Sequence, residues 1–307
     1  MGEFRYDEEL ANRSSNPISI AVLSDIHGNL TALEAVLDDA KSRGVSGFII
    51  AGDNVGDGPQ PGEVVDRIRQ LNNRWIIKGN REEYTLNYND GLKDEWNDYN
   101  QMYVAVWTQK CLDSEQISFI RDLPEQLVVN IEGTSPIRVV HGSPFDIYEH
   151  LYPDKDLDRL KRVVNSIDES VLICGHTHES WSKVTDNKLV VNPGSVGLHF
   201  NDKLCAEYST LTWSGEDWTE DHHYVKYNID EVEKAFENTG IFNTGGAIWA
   251  KATMCGLRSG SNIALKFLRY AYDFAKKEGM EGSGLIPNDL WERVAASWDY
   301  NKKEGCF

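Results

Sequence analysis

The sequence predicts an α/β fold built on buried strands, continuing into an antiparallel stretch and ending in a helical tail. Three observations lead there. Five apolar runs of strand length, ISIAVLS, GFIIAGD, RWIIKGN, IRVVHG and VLICGHTH, are continuously hydrophobic, as strands covered on both faces are. Segments between the early runs place apolar residues at helical spacing, the strand-helix-strand order of a parallel sheet. From Ile229 onward the pattern is helical throughout.

In order, ISIAVLS opens the fold at Ile18, and NLTALEAVLDDAKSRG sets Leu30, Leu33, Val36 and Leu37 on one helical face before Gly44, a C-terminal cap. GFIIAGD is the second strand, NVGDGPQPG a loop by its Gly and Pro content, EVVDRIRQL a helix and RWIIKGN the third strand. Residues 81–123 are rich in aromatics, and helical spacing in YNQMYVAVWTQKCL and SEQISFIRDL predicts a helical excursion over one edge of the strand-end site, closed by Pro124.

EQLVVNIEG and PIRVVHG are expected to pair through a turn at Gly133, Thr134 and Ser135. DLDRLKRVVNSI is a helix, VLICG a buried strand, and WSKVTDNKLVVNPGS a hairpin turning at Asp186 and Asn187. AEYSTLTW and DHHYVKYN alternate as antiparallel strands do. The expected division is a flexible polar arm over 1–17, an α/β domain over 18–240 and a helical extension over 241–307. The extension's amphipathic stretches, with Trp249, Trp291 and Trp298, can pack on the core, cover the site or form a homodimer contact; packing is the simplest.

Composition narrows the function. The 307 residues carry 49 acidic against 31 basic side chains, a net charge of −18. The mean field repels polyanions, so stable nucleic-acid binding is not expected, while a small phosphate ester can still enter. Five cysteines without a CxxC pair suggest free thiols in a reducing compartment. With no run of signal-peptide or membrane-spanning character, the expected location is the cytoplasm and no membrane partner is expected.

The chemistry sits where the five runs end. Asp25 and His27, Asp53, Asn80, His141, then His176 and His178 close them in turn. Open α/β sheets build their sites at strand ends, where the loops diverge. Singly, each is ordinary: an Asp-x-His is usually a turn or N-cap, a Gly-Asn a turn. As an ordered set, seven mixed oxygen and nitrogen donors suit first-row divalent metals and not calcium. They exceed one tetrahedral ion and suit two that share a carboxylate.

In this order and spacing, DIHGN, GDNVGDGP, GNREE, HGSP and GHTH resemble the calcineurin-like metallophosphoesterase superfamily, and NPGSVG resembles its small bacterial and archaeal phosphodiesterase branch. The resemblance covers about residues 18–240 and implies a four-layer αββα sandwich, two mixed β-sheets flanked by helices, with the C-terminal helical extension outside it. It implies that Asp25, His27 and His178 hold one metal, Asn80, His141 and His176 the other, and that Asp53 bridges. The ions would be manganese, iron or zinc, and hydroxide formed from a shared water would attack phosphorus in line.

The protein-phosphatase branch has His after its Asn, as the leaving-group acid; this chain has Arg81. Arginine is no acid near neutral pH, yet its fork can hold phosphate oxygens. Arg81 therefore either binds the phosphoryl group or pairs with a nearby acid. Asn29 is an expected phosphate contact, Asn54 and His199 are weaker supporting positions, and Asp146, Tyr148 and His150 can line the mouth. The expected function is hydrolysis of phosphodiesters or nucleotide-type small substrates. The alternatives are a phosphomonoesterase or protein phosphatase, and an interaction protein with a catalytically idle metal site.

Overall fold

The computed structural model describes residues 18–280, 282 and 284–299; the expected arm over 1–17 lies outside them. Two five-stranded sheets form its centre. The first has the order β10-β9-β1-β2-β3, from β1 (Ser19–Leu23), β2 (Gly47–Ala51), β3 (Arg74–Ile77), β9 (Ala206–Trp213) and β10 (Trp218–Val225). β1, β2 and β3 run parallel, and β9 and β10 extend the sheet antiparallel. The second has the order β4-β5-β6-β8-β7, from β4 (Gln126–Val129), β5 (Ile137–Val140), β6 (Val171–Ile173), β7 (Trp181–Thr185) and β8 (Lys188–Asn192). Its central strands β5, β6 and β8 are parallel and its edge strands antiparallel.

Strand side chains alternate between two cores, which is why the runs are hydrophobic throughout. On β1, Ile20 and Val22 face the second sheet, meeting Val139 and Ile173. Ala21 and Leu23 face outward onto α1 (Leu30–Ser42) and α2 (Pro61–Arg69), against Leu33, Val36 and Ile68. On the far side, Val140, Leu172 and Val190 pack under α6 (Leu157–Val164). Helix, sheet, sheet and helix make the four expected layers. The hairpin turn of β7 and β8 has Asp186 and Asn187 at φ of 48° and 62°, the left-handed pair that a tight hairpin requires.

The excursion after β3 is helical as expected, with α3 (Asn80–Asn89), α4 (Tyr103–Lys110) and α5 (Ser114–Asp122). The tail holds α7 (Ile229–Thr239), α8 (Ala247–Ser259), α9 (Ile263–Lys277) and α10 (Asn288–Ser297). α7 and α8 bury Phe236, Ala250 and Leu257 against Val104 of α4 and Leu198 of the loop after β8. That packing carries the tail to the strand ends. Cys111, Cys174, Cys205 and Cys255 are free thiols, and no helix among the described residues is long and apolar enough to cross a membrane.

Candidate metal centre

The seven donor residues converge at the C-terminal ends of the parallel strands, Asn80 at the first position of α3 and the other six on loops that grip one another across the two sheets. The Asp25 amide donates to Gly52 O at 3.0 Å, the His27 amide to Asp53 O at 2.8 Å, the Gly175 amide to His141 O at 2.8 Å and the Gly197 amide to Asp25 O at 3.0 Å. Asp25, His27, Asp53, His176 and His178 have φ of 55°, 49°, 51°, 67° and 58°. Left-handed backbone at non-glycine residues persists only where the surroundings fix it. Here the interlocked amides fix it, and the side chains are aimed as a result.

The donors fall into two groups. Asp25, His27 and His178 offer ligand atoms within 4.8 Å of one another, as do Asp53, His141 and His176. Asn80 joins the second, its Oδ1 3.1 Å from His141 Nε2. Asp53 Oδ2 faces both, 3.7 Å from His27 Nε2 and 3.4 Å from His141 Nε2.

Proton placement tests the fit to cations. His141 Nδ1 lies 2.8 Å from Ala51 O, and His178 Nδ1 2.8 Å from Leu198 O. A carbonyl only accepts, so each Nδ1 carries the proton and, in the neutral ring, each Nε2 presents a lone pair. His141 Nε2 then faces two acceptors, Asn80 Oδ1 and Asp53 Oδ2. His178 Nε2 faces His27 Nε2 at 3.1 Å and Asp25 Oδ1 at 3.2 Å, and Asp25 Oδ1 has no hydrogen-bond partner among the described residues. With neutral rings these buried acceptors would repel, and a cation between them, a proton or a metal ion, relieves the repulsion. The donor set fits divalent metal.

The electrostatics agree. Burial works against charge on His27 and His141, but Asp25 and Asp57 raise the first to about 10 and Asp53 raises the second to about 9. Burial and the neighbouring His141 drop His176 to about 3. Burial would raise Asp53, yet His141 and His27 hold it at about 2. Two rings thus collect positive charge wherever carboxylates face them.

Four supporting residues, Glu82, Gly79, Ser195 and Asn192, lie in the motifs without a part assigned from sequence. Glu82, fully buried, accepts four amides: Asp53 and Gly79 on Oε2 at 3.0 and 2.6 Å, Asn54 and Val55 on Oε1 at 2.8 and 3.0 Å. It ties the Asp53 loop to the start of α3, and burial with the neighbouring Asp53 raises its pKa to about 7. Gly79 allows this approach, since a Cβ there would stand 2.2 Å from Asp53 Oδ1. Ser195 donates to Asp25 O at 2.8 Å, and Asn192 to Gly175 O at 2.8 Å, so NPGSVG holds two of the donor loops.

Asp57 is the second acid of GDNVGDGP. Its Oδ2 lies 2.8 Å from Arg81 Nη2 and 3.2 Å from His27 Nδ1. Burial opposes its charge, yet Arg81 and His27 hold its carboxyl well below the usual range. Arg81 therefore has the acidic partner that was one of its two expected situations, while its side chain also lines the cleft.

The structure places the remaining expected positions in the fold. Asn29 is committed to the fold: Oδ1 caps α1 by accepting the Ala32 amide at 3.1 Å, and Nδ2 donates to Gly197 O at 2.9 Å. It does not line the cavity, and the structure places it as the N-cap of α1. His199 is buried between Leu257 O and Tyr227 OH, and Asn54 donates to Ile77 O. Tyr148 and His150 line the cavity, whereas Asp146 does not; its Oδ1 accepts the Tyr148 amide at 2.8 Å.

Comparison with known proteins bears on the same residues. The model of the calcineurin-like phosphoesterase superfamily domain matches residues 18–215. The uncharacterized protein MJ0912 of Methanocaldococcus jannaschii is 36% identical over 195 residues, 58% of this chain and 76% of that protein. Among solved structures, a metallophosphoesterase from Sphaerobacter thermophilus is 26% identical with a TM-score of 0.62, covering 80% of this chain and all of that one. The hypothetical protein PH1004 of Pyrococcus horikoshii OT3 shares the fold, with a TM-score of 0.64 at 24% identity over 76% of this chain and 97% of its own.

Proposed function

The chain belongs to the calcineurin-like phosphoesterase superfamily, and from that premise we propose that it hydrolyses phosphate esters with a two-ion centre, acting on phosphodiesters or nucleotide-type small substrates ahead of monoesters. One observation carries the proposal: two groups of buried ligand atoms, each within 4.8 Å of one another, lie on either side of Asp53 Oδ2. Asp25, His27 and His178 would hold one ion, Asn80, His141 and His176 the other, with Asp53 shared. Bound there, the pair supplies charge to the phosphoryl oxygens and makes water acidic enough to serve as nucleophile near neutral pH.

The chain's own part is orientation. Ala51 O and Leu198 O fix the tautomers of His141 and His178, and the Asp57 carboxylate lies against His27. Arg81, anchored through one nitrogen, keeps other N–H donors for a phosphoryl oxygen. Because it stands where an imidazole would protonate a leaving group, departure is easier for alcohols that need little help, which favours activated diesters.

Metal-depleted chain given manganese should hydrolyse bis(p-nitrophenyl) phosphate faster than p-nitrophenyl phosphate. No turnover with manganese, iron or zinc would leave the interaction-protein reading. Faster monoester turnover would favour a phosphomonoesterase. Arg81→Ala with unchanged kinetic constants would remove Arg81 from the substrate site.

A further inference from the structure

The cavity lined by His27 and His178 of one donor group and by Asp53, Asn80 and His176 of the other extends well past them, to about 850 Å³ in all. Its outer arm runs between α4 and the helical extension, walled by Met102 and Ala105 on one side and by Trp249, Ala264, Leu265 and Leu268 on the other. None of the six carries a charge. Leu265, 39% exposed, is among the few large apolar side chains left to solvent. α8 and α9 lie outside the residues that the superfamily domain matches, so this wall belongs to the chain's own helical extension.

The polar side chains along the arm are few: Arg269 stands beside Leu265 and Leu268 on α9, and the others are largely engaged or buried. The Gln101 amide donates to Tyr272 OH at 2.8 Å and accepts the Ile286 amide at 2.9 Å. Asn262 Oδ1 caps α9 through the Leu265 amide at 2.9 Å. The Thr108 and Thr253 hydroxyl oxygens are buried from solvent. A nucleoside's base and ribose would bring more donors and acceptors than these walls can pair, which binding sites penalise. An aliphatic group brings no donors or acceptors of its own to pair and would displace water from the uncharged walls.

We infer that the substrate is an amphiphilic phosphodiester whose phosphate sits at the donor groups and whose one long aliphatic ester group lies along the arm between α4, α8 and α9. This rests on the phosphoesterase reading. In the reaction water adds to phosphorus and one P–O bond breaks, releasing an alcohol and leaving a phosphate monoester.

The test is a series of methyl, butyl and octyl p-nitrophenyl phosphodiesters on the manganese-loaded full chain, below micellar concentrations. Every member releases p-nitrophenolate, so the chemistry is constant while the chain grows. kcat/KM should rise about fourfold for each added methylene until the arm is full, and the octyl ester should exceed thymidine 5′-(p-nitrophenyl phosphate). A flat or falling series, or preference for the thymidine ester, overturns the inference. Ala105→Phe and Ala264→Phe fill the arm from opposite walls, and each should lower the octyl-to-methyl ratio about tenfold; an unchanged ratio in both also overturns it.

If no ester turns over with any metal, the phosphoesterase reading fails and calorimetry decides the arm separately. Octylphosphonate should bind the metal-loaded chain at least about tenfold more tightly than methylphosphonate; equal binding contradicts the arm.

Discussion

Trp249 Nε1 donates to Asp57 Oδ1 at 2.7 Å across 192 residues of sequence. That contact links the helical extension to the metal centre, because the other Asp57 oxygen holds Arg81 and lies beside His27. Phenylalanine at 249 would keep much of the packing and lose the donor. We expect Trp249→Phe to lower kcat/KM for a methyl diester about tenfold, the equivalent of one hydrogen bond to a charged group, about 1.5 kcal/mol. Steady-state kinetics beside circular dichroism checks this; wild-type kinetics would mean that the extension does not act through Asp57.

Glu82 accepts two amides on each oxygen. Glutamine would turn an NH2 group toward two N–H donors in a buried site. Glu82→Gln should cost about 2–4 kcal/mol, lowering Tm by roughly 5–10 °C, and should loosen Asp53 enough to weaken metal binding. Calorimetry reads the first effect and metal titration the second; an unshifted Tm would show that the loop does not depend on the carboxylate.

Asp53 is the one donor residue facing both groups. Asp53→Asn should therefore reduce bound metal below two ions per chain and lower kcat at least about a thousandfold, with the sandwich core unaffected. Elemental analysis with activity measurement checks it, and full activity would remove the shared-carboxylate assignment.

Much of the fold was legible because burial on both faces of a strand leaves a simple trace. Ile20, Ala21, Val22 and Leu23 are all hydrophobic because two cores claim them alternately. The donor residues were legible because each closes such a run. Their supporting residues were not. Glu82 reads as an ordinary first-turn acid of a helix, and only the fold reveals the four amides behind it. Trp249 gives no local sign of its tie to Asp57, since that contact is set by how the tail packs. The capping part of Asn29 was not legible, because an amide serves equally for a phosphate or for a helix cap, and the fold shows it capping α1.

The raised imidazoles give a pH signature to the metal-free protein. His27 and His141 titrate near 10 and 9 when folded, against about 6.5 when unfolded. A raised folded pKa gives stability that is present below the unfolded value and lost as pH rises through the folded one. Tm of metal-depleted protein should fall between about pH 6.5 and 9. Added metal displaces these protons and should remove the decline. Thermal melts across that range, with and without manganese, measure both arms; a metal-free Tm that rises with pH would contradict the proton assignment.

The claim that two cations lie on either side of Asp53 can be read from anomalous diffraction of manganese-loaded crystals. The expected result is two peaks about 3.5–4 Å apart, flanking Asp53 Oδ2, one beside Asp25, His27 and His178 and the other beside Asn80, His141 and His176. A single peak, or peaks away from Asp53, would contradict it.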